Sequence, residues 1–270
     1  MNRGAKLLAL AAVLLALFAT AGCNKLRARD QLNKGVQAYK NAKYEDAIEK
    51  FKTAVALDPS LINARLYLAT AYAQQYIPGA DTPDNNRMAE QAIGVYEDVL
   101  KQKPKDLNAI KGIAYLYLNM KKFEQAKDYY KKVIGVDPND PEAYYSVAVI
   151  DWTETYQPRM EEKAKLGLKP DEPIKDKKVC EDLKAKNTGP VQEGMQMLQK
   201  AVDLRPDYDD AMAYYNLMWR EKADIECGDA QARAEDLAKA DDWVKKTMAT
   251  KAAKAEKQQG PGGIVVEKKE

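Results

Sequence analysis

Four times along the chain a small residue, a larger apolar one, a small or aliphatic one and a proline follow at gaps of four, three and five. The sets are Ala47, Phe51, Ala54, Pro59; Ala92, Tyr96, Val99, Pro104; Ala126, Tyr130, Val133, Pro138; and Gly194, Leu198, Ala201, Pro206. Gaps of four and three put three side chains on one face of a helix. Proline then ends that helix, because it has no N–H to continue the hydrogen-bond ladder. The small residue lets a second helix approach closely. Upstream of each set runs another helical stretch: "RDQLNKGVQAYK", "NARLYLATAYAQQ", "LNAIKGIAYLYLN" and "EAYYSVAVIDW". The unit is therefore a pair of antiparallel helices, and Pro104 to Pro138 sets its period at 34 residues. One pair cannot bury its own apolar face, so neighbours must stack into an all-α solenoid.

The period breaks in two places. Pro59 to Pro104 spans 45 residues, and the surplus "IPGADTPDNNRM" is rich in turn residues. It reads as a longer loop between the helices of the second unit. Pro138 to Pro206 spans 68 residues, yet the added stretch holds Pro158, Pro170, Pro173 and Pro190 and no further copy of the pattern. It reads as an inserted, partly helical loop over 158–190 rather than a sixth unit. The last unit pairs "DDAMAYYNLMWREKADIE" with a long Ala- and Lys-rich stretch whose inward stripe is expected at Ala234, Leu237, Ala238, Trp243 and Val244. The units then fall at 28–61, 62–106, 107–140, 141–208 and a capping 209–255. A tail at 256–270, broken by Gly260-Pro261-Gly262-Gly263, is expected to be disordered.

The N-terminal stretch reads as a targeting segment. Arg3 and Lys6 precede an apolar run from Leu7 to Ala19, and small residues lead to Cys23. That run is shorter than the roughly 20 residues a membrane-spanning helix needs. Thr20-Ala21-Gly22-Cys23 resembles a bacterial lipobox, which implies removal of 1–22, lipid on Cys23 and a short anchoring linker at 23–27. The alternative is an ordinary secretory signal with an incidental cysteine. Cys180 and Cys227 then remain as an even pair, which in an exported protein suggests a disulfide; two buried free thiols are the other reading.

Composition narrows the chemistry. Lys plus Arg number 43 against 41 Asp plus Glu, which argues against a dedicated nucleic-acid binder. The absence of histidine removes every imidazole base or ligand. No Gly-rich phosphate cradle, no nucleophile elbow and no calcium-loop spacing is present, so no catalytic residue, metal site or cofactor is expected. The chain therefore reads as non-catalytic.

The units resemble tetratricopeptide repeats. Gly35, Tyr39, Tyr44, Ala47, Phe51, Ala54 and Pro59 fall at that family's signature positions, as do Ala114, Tyr117, Phe123, Ala126, Tyr130 and Pro138. The resemblance covers roughly residues 28–255 and implies a right-handed superhelix of about five helix pairs. It also implies a groove, lined by first helices, that takes an extended peptide or a helix. Groove candidates are Leu66, Thr70, Asn108, Lys111, Tyr115, Tyr145, Val149, Trp152 and Tyr214. Leu32 and Val36 stand where some relatives clamp a terminal carboxylate with Lys and Asn. The expectation is a lipid-anchored adaptor of the bacterial envelope, facing the periplasm, with the outer membrane favoured by Asn24. Its partner is expected to be a protein or peptide, with no nucleic acid and no small-molecule substrate. The alternative is an accessory subunit or carbohydrate-binding protein acting through 158–190.

Overall fold

The computed structural model describes residues 23–259, and all regular structure among them is helical. The helices are α1 (residues 23–40), α2 (Tyr44–Leu57), α3 (Ile62–Gln75), α4 (Pro83–Gln102), α5 (Leu107–Asn119), α6 (Phe123–Val136), α7 (Pro141–Lys165), α8 (Lys177–Leu204), α9 (Asp209–Asp224) and α10 (Ala230–Gln259). They form two compact units that divide between Tyr129 and Tyr130. The leader at 1–22 and the glycine-broken end of the tail lie outside the described residues.

All twelve helical members of the repeated pattern are buried. Each helix that carries it ends two residues before its proline: Leu57 before Pro59, Gln102 before Pro104, Val136 before Pro138 and Leu204 before Pro206. The third pattern residue also closes the helix. The carbonyls of Ala54, Val99, Val133 and Ala201 accept from the backbone N–H of Asp58, Lys103, Asp137 and Arg205, each just before the proline. The pattern thus records a buried face and a helix stop together. Turn chemistry follows from the acids beside these prolines. Asp58 accepts from the Ser60 N–H and Asp137 from the Asn139 N–H, while Asp140 caps α7 by accepting from Glu142 and Ala143.

In the first unit a Cβ on Gly35 would stand 2.5 Å from the Phe51 ring, so α1 and α2 meet there. Phe51 has no exposed surface, and burial of such a ring is worth about 1.5–3 kcal/mol. Its ring stacks on Tyr67 of α3 at 5.6 Å. The surplus residues before α4 divide between loop and helix, because α4 starts at Pro83. Asn85, in its first turn, accepts from the Ile77 N–H and donates to the carbonyls of Ile77 and Ala80. One buried amide therefore pins the loop.

Four expectations need correction. The 158–190 insertion is partly helical as read, but its helical parts continue the flanking helices instead of standing in a loop: α7 runs through Pro158 and α8 through Pro190, leaving only 166–176 between them. A proline costs each helix one hydrogen bond. Buried Thr155 and Arg159 on α7, and Asn187 and Val191 on α8, hold the lengthened hairpin together around that loss. The linker at 23–27 is the first turn of α1, in which the helix formers Lys25, Leu26 and Arg27 lead to a fully buried Ala28. The tail begins later than 256, because α10 runs to Gln259. The inward stripe of α10 is also rotated: Ala234, Ala238 and Val244 are exposed, and Asp236, Ala240 and Thr247 are buried beside half-buried Trp243. Asp236 faces inward because Lys222 of α9 meets it at 2.5 Å.

Candidate functional site: an aromatic face in the second unit

On α7, Tyr145, Val149, Trp152 and Tyr156 recur at gaps of four, three and four, which places them on one face. Tyr214 of α9 joins that face. Its ring meets Tyr145 edge-on at 5.5 Å and Trp152 edge-on at 5.3 Å. Trp152 stacks on Tyr156 at 4.6 Å, and Tyr145 contacts Tyr208 at 5.2 Å. Five rings therefore run in unbroken contact from Tyr208 to Tyr156. Such pairs add roughly 0.5–1.5 kcal/mol each beyond the area they bury, so the row is rigid.

The two ends of the row differ. At Tyr208 the phenol donates to Glu142, whose carboxylate also accepts from Arg205 at 2.6 Å. The Arg205 guanidinium lies 4.4 Å from the Tyr208 ring. Burial pushes the phenols of Tyr145, Tyr208 and Tyr214 up from their ordinary value, so they stay neutral donors at physiological pH. At the other end Tyr156 is 38% exposed and leads to a cavity of about 280 Å³ shared by Trp152, Arg159, Leu217 and Arg220.

Behind that cavity lies a buried ionic cluster. Arg159 pairs with Glu221 at 2.9 Å and with Asp224, and Lys163 reaches Asp224 at 2.5 Å and the Pro170 carbonyl at 2.7 Å. Arg233 stands 3.5 Å from Asp224 and donates to the Asp171 carbonyl at 2.8 Å. Desolvation pushes Glu221 up to about 7, against the opposing pull of Arg159. Burial likewise pushes the Lys163 ammonium down, and its bond to Asp224 opposes that shift. Cys180 of α8 and Cys227, in the turn after α9, form a disulfide with Cα atoms 5.5 Å apart. Cys23 is exposed and free.

The structure brings Tyr145, Trp152 and Tyr214 into one contact row, with Val149 half-buried on the same face of α7. In the first unit Asn108, Lys111 and Tyr115 are exposed at gaps of three and four along α5. Leu66 packs against the core, and Thr70 donates to the Leu66 carbonyl with its oxygen 3.1 Å from the Tyr96 hydroxyl. Sequence reasoning missed Tyr156 and Tyr208, and with them Arg159, Lys163, Glu221 and Asp224. The signal was present: the gaps 145, 149, 152, 156, 159, 163 hold helical spacing straight through Pro158. Among the described residues no group of three His, Cys, Asp or Glu could hold a metal ion, and no helix is long and apolar enough to cross a membrane.

Two family models, both described as tetratricopeptide repeat, match residues 32–107 and 86–150. Among solved structures the chain is similar to MamA, at 12% identity and a TM-score of 0.59, covering 88% of this chain and 98% of that one. It is similar to MamA from Desulfovibrio magneticus RS-1 at 17% identity and 0.56, covering 84% and 96%. It is also similar to YrrB, described as a TPR protein with an unusual peptide-binding site, at 16% identity and 0.52, covering 83% and 90%. At these identities the likeness is one of fold. Among curated proteins no relative matches.

Proposed function

We propose that this chain, which belongs to the tetratricopeptide-repeat family, is a non-catalytic scaffold of the bacterial cell envelope that holds protein partners on first-helix faces. Repeats of this kind support protein or peptide binding. The observation that carries the reading here is the row of rings from Tyr208 to Tyr156, whose outer end is exposed. Rigid aromatic side chains supply large contact area at small entropic cost, and interface hot spots are enriched in Trp, Tyr and Arg. A peptide lying along α7 would stack apolar side chains on Trp152 and Tyr156, ending beside Arg220, which Asp241 holds at 2.7 Å. YrrB carries a peptide-binding site on the same fold. The residues of α5, Asn108, Lys111 and Tyr115, offer a smaller polar face in the first unit.

The lipid anchor belongs to the same proposal. It rests on the charged, apolar and small-residue order that ends at Cys23, with outer-membrane residence favoured by Asn24. Peptide-library selection on the mature chain tests the binding face. Trp152→Ala is expected to weaken the selected peptides by about 2 kcal/mol, in the range of an aromatic hot spot, and equal affinity would discard the aromatic face. Mass spectrometry of envelope-extracted protein tests the anchor, since an unmodified N-terminus at Cys23 would discard it.

A further inference from the structure

The largest cavities include one of about 520 Å³ that lies in the second unit, away from the ring row. That volume falls inside the range of small-molecule sites, roughly 300–1,000 Å³. Its floor is apolar: Ile174, Ala223, Ala234, Leu237 and the Cys180–Cys227 disulfide. Charges of both signs stand around it, so the question is which of them are already committed.

The acids are all engaged. Asp224 is held by Arg159 and Lys163, Glu226 meets Lys222 at 2.8 Å, and Asp229 caps α10 by accepting from the Ala232 N–H at 2.9 Å. The bases are not. Lys175 and Lys177 line the cavity and have no ion pair or hydrogen bond among the described residues. Arg233 stands 3.5 Å from Asp224 and gives one nitrogen to the Asp171 carbonyl, but its buried Nε has no hydrogen-bond partner. The first residues of α8 and α10, Lys177 and Ala230, both line the cavity, and those helix ends are already capped by Asp176 and Asp229, which accept from the Val179 and Ala232 N–H groups. The side-chain groups left without a partner are thus the Lys175 and Lys177 ammoniums and the Arg233 Nε–H, above an apolar floor.

We infer that this cavity binds an aliphatic amphiphile with one anionic head: the chain lies over Ile174, Ala234 and Leu237, and the head meets Lys175, Lys177 and Arg233. The assignment does not rest on the aromatic-face reading. Its simplest probe is decanoate, with decanol as the neutral match, titrated calorimetrically into the full chain from residue 23 with Cys23→Ser and the disulfide intact. Decanoate is expected to bind about tenfold more tightly than decanol, the size of one charge-assisted contact. The double variant Lys175→Gln, Lys177→Gln is expected to erase that preference and keep decanol binding. Ala234→Trp fills the cavity without touching a charge and is expected to abolish binding of both; Ala230→Phe serves the same end if Ala234→Trp fails to fold. Absence of decanoate binding at millimolar concentration overturns the site, as does binding unchanged by either filling variant. Equal affinity for decanoate and decanol, or a preference that survives the lysine substitutions, overturns the anionic head. Binding of an apolar peptide with a free C-terminus, without binding of decanoate, overturns the small-molecule assignment.

Discussion

Gly112 of α5 lies against the ring of Tyr96 on α4 so closely that a Cβ on it would stand 2.5 Å from two ring carbons. The ring has no easy way out, because Tyr96 is buried and its hydroxyl lies 3.1 Å from the Thr70 oxygen. Gly112→Ala is therefore expected to destabilise the chain. Overpacking costs typically 1–3 kcal/mol, which outweighs the roughly 1 kcal/mol that alanine gains over glycine inside a helix. Gly94, in the middle of α4, has nothing within 4 Å of a Cβ. Gly94→Ala should stabilise by about 0.5–1 kcal/mol. Urea denaturation of both variants decides the matter, and the same sign for both would refute the packing argument.

Asp224 is the shared acceptor of the buried cluster, facing Arg159, Lys163 and Arg233. Asp224→Asn leaves buried cations without their counter-charge, a loss of about 3–5 kcal/mol. Replacing Asp241, whose partner Arg220 is exposed, should cost under about 1 kcal/mol. Similar midpoints for the two variants in a thermal melt would show that the cluster is solvated.

Glu221 makes stability depend on pH in an unusual direction. Its carboxyl in the folded chain is pushed from 4.5 up to about 7 by burial, so the folded state binds the proton more tightly than the unfolded state. The contribution is favourable below about pH 4.5 and declines as pH rises to about 7, a span of up to roughly 3 kcal/mol. The thermal midpoint should fall between pH 5 and pH 8 by several degrees more in the native chain than in Glu221→Gln. Parallel pH profiles would show that Glu221 titrates normally.

The disulfide closes a loop of 47 residues, worth about 4 kcal/mol by the entropy of the unfolded chain. Cys180→Ser with Cys227→Ser should lower the unfolding free energy read from urea denaturation by that amount, with the midpoint falling accordingly. It should also loosen the turn after α9 before the rest of the second unit, which hydrogen exchange at Cys227 to Ala230 would report. An unchanged midpoint would mean that packing between α8 and α9 alone sets the stability.

The repeated pattern was legible because each member answers to two local constraints, a helix face and a helix stop. Ala126, Tyr130, Val133 and Pro138 needed no knowledge of distant residues. The lengthened hairpin was not legible in the same way. Pro158 and Pro190 argue locally against a helix, and what overrides them is a set of partners far along the chain: Arg159 and Asp224 are 65 residues apart. The face of α10 was misread for a related reason. Asp236 looks solvent-facing until Lys222 of another helix is placed beside it. Of the ring row, Tyr145, Trp152 and Tyr214 stood on recognisable first-helix faces; Tyr156 lay between the first helix as read and the stretch read as an insertion, and Tyr208 in the turn before α9.

The helix that begins at Cys23 bears on how an anchored chain would explore its surroundings. A disordered spacer lets a tethered domain sweep a hemisphere whose radius grows with the square root of its length. Here the residue that would carry the lipid is already in α1, and Ala28, five residues on, is sealed in the core. With an acyl chain on Cys23 the attachment would be a stiff post, and the first unit would stand at a fixed height above the bilayer. Such a protein would collect partners from a thin layer next to the lipid, and each added residue between Cys23 and Ala28 would thicken that layer.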